Sequence, residues 1–332
     1  MFALVPLLAA AATAAAPPPA APLDTALAQL IIAPPTPPPV PLSDEAMLAI
    51  GANAGRMTVP VSIDQRGPWN FIIDTGAERT VVSRELAGVL GLASGPQLRV
   101  IAMTGPAITS SVVVPHLSVS TVAHEAIEAP ALEARDLGAV GMLGIDALQG
   151  HAVSIDFDHD RMTLRPSRRR ANGARQAAMA NEVVVTARSL YGQLIVTDAF
   201  FHGRRIAVVI DTGSPVTVGN TALLAAVTRR ARSLGPLQLT SATGGTLTTD
   251  ARSVDELSIG GIGFQNVRVA FSDVPPFARF GLTGKPALML GMDALRLFRQ
   301  VDIDFANREI RFALPRSHMG MAFDGTRSAG FE

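Results

Sequence analysis

Two aspartates, Asp74 and Asp211, stand in closely matching segments of the chain. The first lies in FIIDTGAERTVVS (71–83) and the second in VVIDTGSPVTVGN (208–220). In both segments a short apolar run predicts a buried strand, and the Gly after the Thr permits a tight turn. A carboxylate at the end of a buried strand is costly unless it is paired or hydrogen-bonded. We therefore expect the two aspartates to pair with each other.

Such a pair has a defined chemistry. Two carboxyl groups a few ångströms apart share one proton, because both cannot ionise cheaply. The ionised member can take a proton from a water, while the protonated member hydrogen-bonds the carbonyl under attack. The pattern thus predicts hydrolysis of a peptide bond by water, with Thr75 and Thr212 bracing the two turns. The alternative is that each Asp only caps its own turn; its duplication favours the catalytic interpretation.

The surrounding sequence is also duplicated. Four landmarks recur in order: a Gly turn before the Asp strand, the Asp-Thr-Gly, a Thr-Gly hairpin, and a Leu-Gly-x-Asp-Ala-Leu stretch followed by Ile-Asp-Phe. Asp74 and Asp211 are 137 positions apart, and Gly144 and Gly291 are 147 apart. The repeat predicts two similar halves that each contribute one Asp.

Composition narrows the function classes. The chain has 332 residues, which is long enough for a bilobal protein, and its 28 basic residues balance 28 acidic ones. This balance implies no general attraction to nucleic acid or to an acidic membrane. Without a single Cys, disulfides, thiolate metal sites and a Cys nucleophile are excluded.

The N-terminal segment predicts export. Residues 1–16 are apolar and end in small residues, as in a secretory signal peptide, although no Lys or Arg precedes the run. An uncleaved membrane anchor and a disordered Ala-rich end are the alternatives. We expect a periplasmic or secreted protein. Anchoring to the membrane is the alternative location.

Composition shifts mark the remaining boundaries. The Pro- and Ala-rich linker contains a segment, 43–51, that favours one or two helical turns. The predicted divisions are the linker (17–55), lobe 1 (56–166), a basic solvated linker (167–181), lobe 2 (182–315) and a loose C-terminal tail (316–332).

Short helices are expected at 83–92, capped by Ser83, and over TALLAAV (221–227). Two hairpins are expected at 98–114 and 237–249. Asp146 and Asp293 are expected to cap the helix that follows each Leu-Gly.

With these motifs assembled, the chain resembles aspartic proteases of the pepsin and retropepsin type, in particular bacterial retropepsin-like proteins with two fused repeats. The resemblance covers about 56–166 and 183–314, and implies an all-β, bilobal acid-protease fold: two tandem retropepsin-like β-barrel lobes with a cleft between them. It also implies hairpin flaps over the cleft and an extended polypeptide as substrate. Since the only Tyr, Tyr191, is far from both hairpins, two flaps fit better than one Tyr-bearing flap.

The resemblance assigns roles residue by residue. No cofactor and no metal are implied; Asp156, Asp158 and Asp160 are better explained as a solvated turn than as a calcium site. The assigned residues are the dyad (Asp74, Asp211), its supporting residues (Thr75, Gly76, Ala77, Thr212, Gly213, Ser214) and the flap tips (Thr104, Gly105, Thr243, Gly244, Gly245).

One asymmetry separates the two halves, Ala77 against Ser214. A Ser hydroxyl at this position can hydrogen-bond an ionised carboxylate. We therefore expect Asp211 to ionise more readily than Asp74.

The sequence leaves competing functions open. The first is an aspartic endopeptidase that works as a monomer through pairing of its own lobes. The second is a binding module that grips an extended peptide by β-addition and cuts it poorly. A third has the halves pairing between chains in a dimer.

Overall fold

A computed structural model describes residues 46–49, 51–53, 55–119, 122–170, 181–227, 231–315 and 327–329. The predicted signal peptide and the Pro-rich part of the linker lie outside these ranges. All the described residues belong to one compact unit, Thr36–Glu332. Within them, no helix combines the length and the hydropathy needed to cross a bilayer.

The first lobe is built mainly from short strands. Its strands are β1 (Ala46–Ala49), β2 (Gly51–Asn53), β3 (Arg56–Ile63), β4 (Arg66–Ile73), β5 (Val81–Ser83), β6 (Ala93–Ser94), β7 (Leu98–Ala102), β8 (Gly105–Thr109), β9 (Ser111–Val119), β10 (Val122–Leu132), β11 (Gly141–Leu143), β12 (His151–Asp156) and β13 (Arg161–Pro166). Its described helices are α1 (Arg84–Leu90), α2 (Ala134–Leu137) and α3 (Ile145–Leu148).

The second lobe is likewise built mainly from short strands. Its strands are β14 (Glu182–Leu190), β15 (Gln193–Phe201), β16 (Arg204–Ile210), β17 (Val218–Gly219), β18 (Arg232–Thr240), β19 (Thr246–Val254), β20 (Leu257–Ile259), β21 (Ile262–Phe264), β22 (Val267–Phe271), β23 (Ala287–Leu290), β24 (Gln300–Asp304), β25 (Glu309–Ala313) and β26 (Arg327–Ala329). Its described helices are α4 (Thr221–Val227), α5 (Pro275–Arg279) and α6 (Met292–Leu295).

The strand pairing repeats as well. In lobe 1 the order β3-β4-β11-β5-β10-β9 closes into a six-stranded barrel, because β9 also pairs with β3. Lobe 2 has the corresponding order β15-β16-β23-β17-β22-β19 within its larger sheet. In both lobes the strand before the Asp runs parallel to the strand of the Leu-Gly stretch. The predicted all-β bilobal fold is thereby confirmed.

One continuous sheet joins the lobes. The hairpin β12–β13 of lobe 1 pairs through β12 with β24, and β24 leads through β25 to β14 of lobe 2. Buried aliphatic side chains from both lobes contribute to one core, among them Val153 and Ile155 from β12 and Val301 and Ile303 from β24. The lobes therefore share hydrophobic burial as well as backbone pairing.

Parts of two segments that were predicted to lie outside the lobes form strands. Of the segment 43–51, the described residues 46–49 form strand β1 rather than a helix, and β1 pairs with β13, because an edge strand satisfies the backbone groups that β13 exposes. In the predicted tail, β26 pairs with β21. These strands show that packing against a sheet edge overrides weak local propensity.

Two of the first residues of the predicted basic linker, Ser167 and Arg170, are anchored to the second lobe, whereas Arg168 and Arg169 are exposed. Ser167 donates to Asp304 (2.7 Å), and Arg170 donates to Glu309 (2.6 Å) and Asp304 (3.3 Å). Both acids are buried on the second lobe. The remainder of that linker, 171–180, lies outside the described ranges.

Helix α1 forms where the sequence predicts it. Ser83 accepts a hydrogen bond from the backbone N–H of Leu86 at 3.0 Å, and Gly91 ends the helix in the left-handed conformation. The helix buries Leu86 and Ala87 against the barrel. The predicted cap at Ser83 is confirmed.

Candidate active site

Each aspartate of the repeated motif stands at the end of a buried strand. Asp74 follows β4 and Asp211 follows β16. The backbone N–H of Asp74 donates to Leu143 (2.9 Å), and that of Asp211 donates to Leu290 (3.0 Å). The Leu-Gly stretch of each half therefore holds the Asp turn of the same half in place through a backbone hydrogen bond.

The two turns face each other across the lobe interface: a Cβ atom built on Gly76 would lie 2.8 Å from Oδ1 of Asp211 and 3.1 Å from Oδ1 of Asp74. Oδ1 of Asp74 also accepts from the backbone N–H groups of Gly76 (2.7 Å) and Ala77 (3.0 Å). Oδ1 of Asp211 accepts from Gly213 (3.1 Å) and Ser214 (3.2 Å). Both carboxyl groups are held by their own turn while they meet across the lobe interface.

The threonines of the motif link the two turns. Thr75 Oγ1 donates to the carbonyl of Ile210 (2.9 Å), and Thr212 Oγ1 donates to that of Ile73 (2.8 Å). Each hydroxyl also accepts the other threonine's backbone N–H, at 3.1 and 3.2 Å. Because both threonines are buried, these reciprocal bonds fix the separation of the two turns without competition from water.

A second brace supports each turn from behind. In lobe 1, Thr80 Oγ1 donates to Asp146 (2.7 Å) and accepts from the backbone N–H of Gly144 (3.1 Å). In lobe 2, Thr217 makes the same bonds with Asp293 (2.6 Å) and Gly291 (3.1 Å). Each Thr lies six positions after its Asp, which is a signal that the sequence carries in both copies.

This brace refines the predicted role of Asp146 and Asp293. Neither acid stands at the N-cap position, which is Gly144 or Gly291, but its Oδ1 accepts the backbone N–H of the next residue, Ala147 or Ala294, in the first turn of its helix at 2.8 Å. Each acid also reaches the loop after its Asp-Thr-Gly, where a buried hydroxyl needs a partner. Burial also raises the pKa of Asp293 above its ordinary value.

The electrostatics of the pair are unequal. Burial, with the neighbouring charge of Asp74, raises the pKa of Asp211 well above its ordinary value. Burial also raises the pKa of Asp74, but the N–H groups of Gly76 and Ala77 and the positive charge of Arg56 oppose that rise. The N–H groups of Gly213 and Ser214 likewise oppose the rise in the pKa of Asp211, so the two carboxyl groups titrate as one coupled pair in which Arg56 favours ionisation of Asp74.

The support that the sequence expects from Ser214 for ionisation of Asp211 is not observed. The Ser214 hydroxyl donates to the carbonyl of Val216 (2.6 Å) within its own turn. Only the backbone N–H of Ser214 reaches Asp211, as that of Ala77 reaches Asp74. The Ser-for-Ala difference consequently adds no hydroxyl donor to the pair.

Two further residues near the dyad escaped the sequence analysis. Arg56 and Gln193 each lie 18 positions before their Asp, on the first strand of their barrels. Gln193 crosses the interface and donates to the carbonyl of Gly76 (3.0 Å). Arg56 donates to the carbonyl of Leu137 (2.6 Å), and its positive charge acts on both aspartates.

Both predicted hairpins are present and their tips meet. Strands β7 and β8 form the flap of lobe 1, and β18 and β19 form the flap of lobe 2. Thr104 Oγ1 donates to the carbonyl of Gly244 (3.3 Å), and Gly245 lies beside the Thr104 side chain. Gly105 and Thr243 flank this contact at the two tips.

Two aspartates of the acidic turn in lobe 1, Asp156 and Asp158, bind other groups of the protein. Asp156 accepts from the backbone N–H groups of Asp158 (3.0 Å) and His159 (3.2 Å), and Asp158 pairs with Arg299 (2.8 Å). Asp160 takes a left-handed turn conformation. In the part of the chain that the structure describes, no group of three His, Asp or Glu side chains is arranged to hold a metal ion.

The comparison with known families agrees with this geometry. A family model described as aspartyl protease matches residues 59–147 and again 197–294, together more than half of the chain. Each match contains one Asp-Thr-Gly and one Leu-Gly stretch. The chain belongs to the aspartyl protease family, of the retropepsin-like kind, with two copies fused in tandem. A search of curated protein sequences finds no significant match.

Proposed function

We propose that this protein is an aspartic endopeptidase in which Asp74 and Asp211 activate a water molecule against a peptide bond. One observation carries the proposal: the carboxyl groups of Asp74 and Asp211 meet across the lobe interface, each beside the glycine of the other's turn. A buried pair of this kind retains one proton over a wide pH range, which supplies a base and an acid at the same point.

The charge of Arg56, which favours the ionised form of Asp74, supports the following roles. The Asp74 carboxylate takes a proton from water as the water oxygen bonds to the substrate carbonyl carbon. Asp211 gives its proton to the carbonyl oxygen, so that a neutral tetrahedral diol forms. When the diol collapses, the carbon–nitrogen bond breaks and a proton passes from Asp74 to the departing amine. Asp211 recovers its proton from the diol, which leaves an acid, an amine and a monoprotonated pair.

The reciprocal threonine bonds support the same assignment. They fix two backbone turns from different lobes at one separation, and such preorganisation costs nothing at the moment of reaction. We expect the two flaps to enclose an extended peptide by backbone pairing.

A peptide-library assay tests the proposal. Purified protein should cleave internal peptide bonds, and a pepstatin-type inhibitor should block the cleavage. Asp74→Asn and Asp211→Asn should each lower kcat by at least about 10³-fold, a loss typical for essential catalytic groups. Peptide binding without cleavage by the unaltered chain would instead establish the binding module. Cleavage that persists in both variants would contradict both functions.

We also propose that the protein acts outside the cytoplasm as a monomer. The apolar run 2–16 supports export, and the pairing of two lobes within one chain supports a single cleft per monomer. Light scattering should give the mass of one chain, and N-terminal analysis of the exported protein should find cleavage near residue 16. A dimer in solution would favour the pairing of halves between chains.

A further inference from the structure

The two flap tips carry different side chains at equivalent positions. The tip of flap 1 reads Met103-Thr104-Gly105, and that of flap 2 reads Ala242-Thr243-Gly244. Aligning the two Thr-Gly pairs places Met103 opposite Ala242 in the repeat. One lobe therefore presents a long flexible side chain where the other presents a methyl group.

Met103 packs across the cleft onto lobe 2. It contacts an apolar wall beside Asp211, and strand β7 of the same flap lies against helix α5 of that lobe. This wall is bulky, because aromatic side chains take part in it. Its members include Val209, Val218, Val274, Phe277, Phe280 and Met289.

Ala242 packs across the cleft in the opposite direction. It contacts an apolar wall of lobe 1 beside Asp74, and Gly244 of the same tip lies against Asp136 at that wall. This wall is aliphatic. Its members are Ile72, Val81, Leu132, Leu137 and Met142.

The positions of these walls relate them to the reacting bond. Ile72 and Val209 each lie two residues before an aspartate of the pair, so both walls border the dyad. In an extended peptide successive side chains point to opposite sides. The two side chains that flank a bond held at the dyad would consequently face one wall each.

We propose that Met103 and Ala242 make the two subsites beside the dyad unequal. The lobe 1 wall, capped only by Ala242, takes a large apolar side chain such as Leu or Phe. The lobe 2 wall, capped by Met103, takes a small one such as Ala. The substrate is thus a peptide with a large and a small apolar residue on the two sides of the cut bond. This inference rests on the proposed function for the register of the peptide.

Exchange of the two side chains tests the proposal. Two sets of peptides are compared by kcat/KM. One set has a large apolar residue before the central bond and a small one after it, and the other set has the reverse order. We expect the unaltered protein to prefer one order by about tenfold or more, because one missing methylene in an apolar pocket changes discrimination by roughly 10–200-fold. The double variant Met103→Ala with Ala242→Met should prefer the reverse order.

A matched control removes an apolar side chain from the same flap without touching either wall. Ile108 is 73% exposed, and Ile108→Ala should leave the preference unchanged. Circular dichroism and Tm establish that each variant is folded. An unchanged preference in the double variant, with cleavage still dependent on both aspartates, would overturn the subsite proposal alone.

Binding gives a second readout that does not need turnover. The same peptide pairs, with the central bond reduced to a non-hydrolysable amine, are titrated into each variant to obtain Kd. Binding that reverses its preference in the double variant, without any cleavage, would support the subsites and contradict the endopeptidase. If neither binding nor cleavage were detected, the subsite proposal and the endopeptidase proposal would both be overturned.

Discussion

The carboxyl group of Asp74 occupies the place beside Gly213 where any other residue would carry its side chain. A Cβ atom built on Gly213 would lie 2.1 Å from Cγ of Asp74. The relationship is reciprocal, since a Cβ on Gly76 would lie 2.8 Å from Oδ1 of Asp211. Each glycine thus admits the carboxyl group of the opposite lobe.

We therefore expect Gly213→Ala to lower kcat/KM by about 10²-fold or more. The added methyl group must push Asp74 aside, and a displacement of about 1 Å at reacting groups can cost about 10²-fold in rate. Gly88→Ala is the matched control, because nothing lies within 4 Å of a Cβ built on Gly88 in helix α1. The measurement is kcat/KM for both variants together with Tm. Full activity in Gly213→Ala would mean that the two turns do not need this close approach.

The stability of the protein should depend on the protonation of Asp211. Its pKa in the folded state is raised by burial, so the stabilising effect of its proton is complete below the pKa of an exposed Asp. That effect is lost as the pH rises through the raised folded value. Asp211→Asn cannot ionise, so its stability relative to the unaltered protein should rise with pH, by at most about 1.4 kcal/mol per pH unit.

Urea unfolding at a series of pH values from 4 upward measures this difference. Asp74→Asn is the comparison variant, and its advantage should be smaller because the charge of Arg56 opposes the rise that burial causes in the pKa of Asp74. A difference between Asp211→Asn and the unaltered protein that stays constant with pH would contradict the assignment of the retained proton.

Arg56 should influence the acid limb of the pH–rate profile. Its positive charge lowers the pKa of Asp74, which otherwise rises through burial. Removing the charge in Arg56→Gln should make Asp74 harder to ionise, so activity should be lost at a higher pH as the solution is acidified. Arg56→Lys keeps the charge and should shift the limb less. An acid limb at the same pH in all three proteins would exclude this electrostatic role.

The threonine brace should contribute to the stability of the lobe interface. Thr75→Val removes the donor to Ile210 and the acceptor of the Thr212 N–H, leaving buried groups unpaired. Each unpaired group costs about 1–3 kcal/mol, so the free energy of unfolding should fall by at least that amount. Thr75→Ser retains the hydroxyl and should lose less. A loss in the Ser variant as large as that in the Val variant would mean that removing the methyl group costs as much as removing the hydrogen bonds, which would contradict the prediction.

The sequence itself predicted the parts of the site that depend on local chemistry. An apolar run followed by Asp-Thr-Gly determines a strand, a turn and the placement of one carboxyl group, and its duplication predicted two lobes. The Ser83 cap was equally readable, because a cap forms between residues three positions apart. The Thr at the sixth position after each Asp was readable too, but its partner lies more than sixty residues away.

Only the tertiary structure decided how the two halves differ. Ser214 turns its hydroxyl to its own loop, and Arg56 and Gln193, at equivalent positions, bind different carbonyl groups. Each flap tip packs on the apolar wall of the other lobe, so Met103 contacts lobe 2 and Ala242 contacts lobe 1. The physical reason is that a repeat fixes backbone paths within each half, whereas burial, charge and side-chain volume at the interface depend on contacts between residues well over a hundred positions apart.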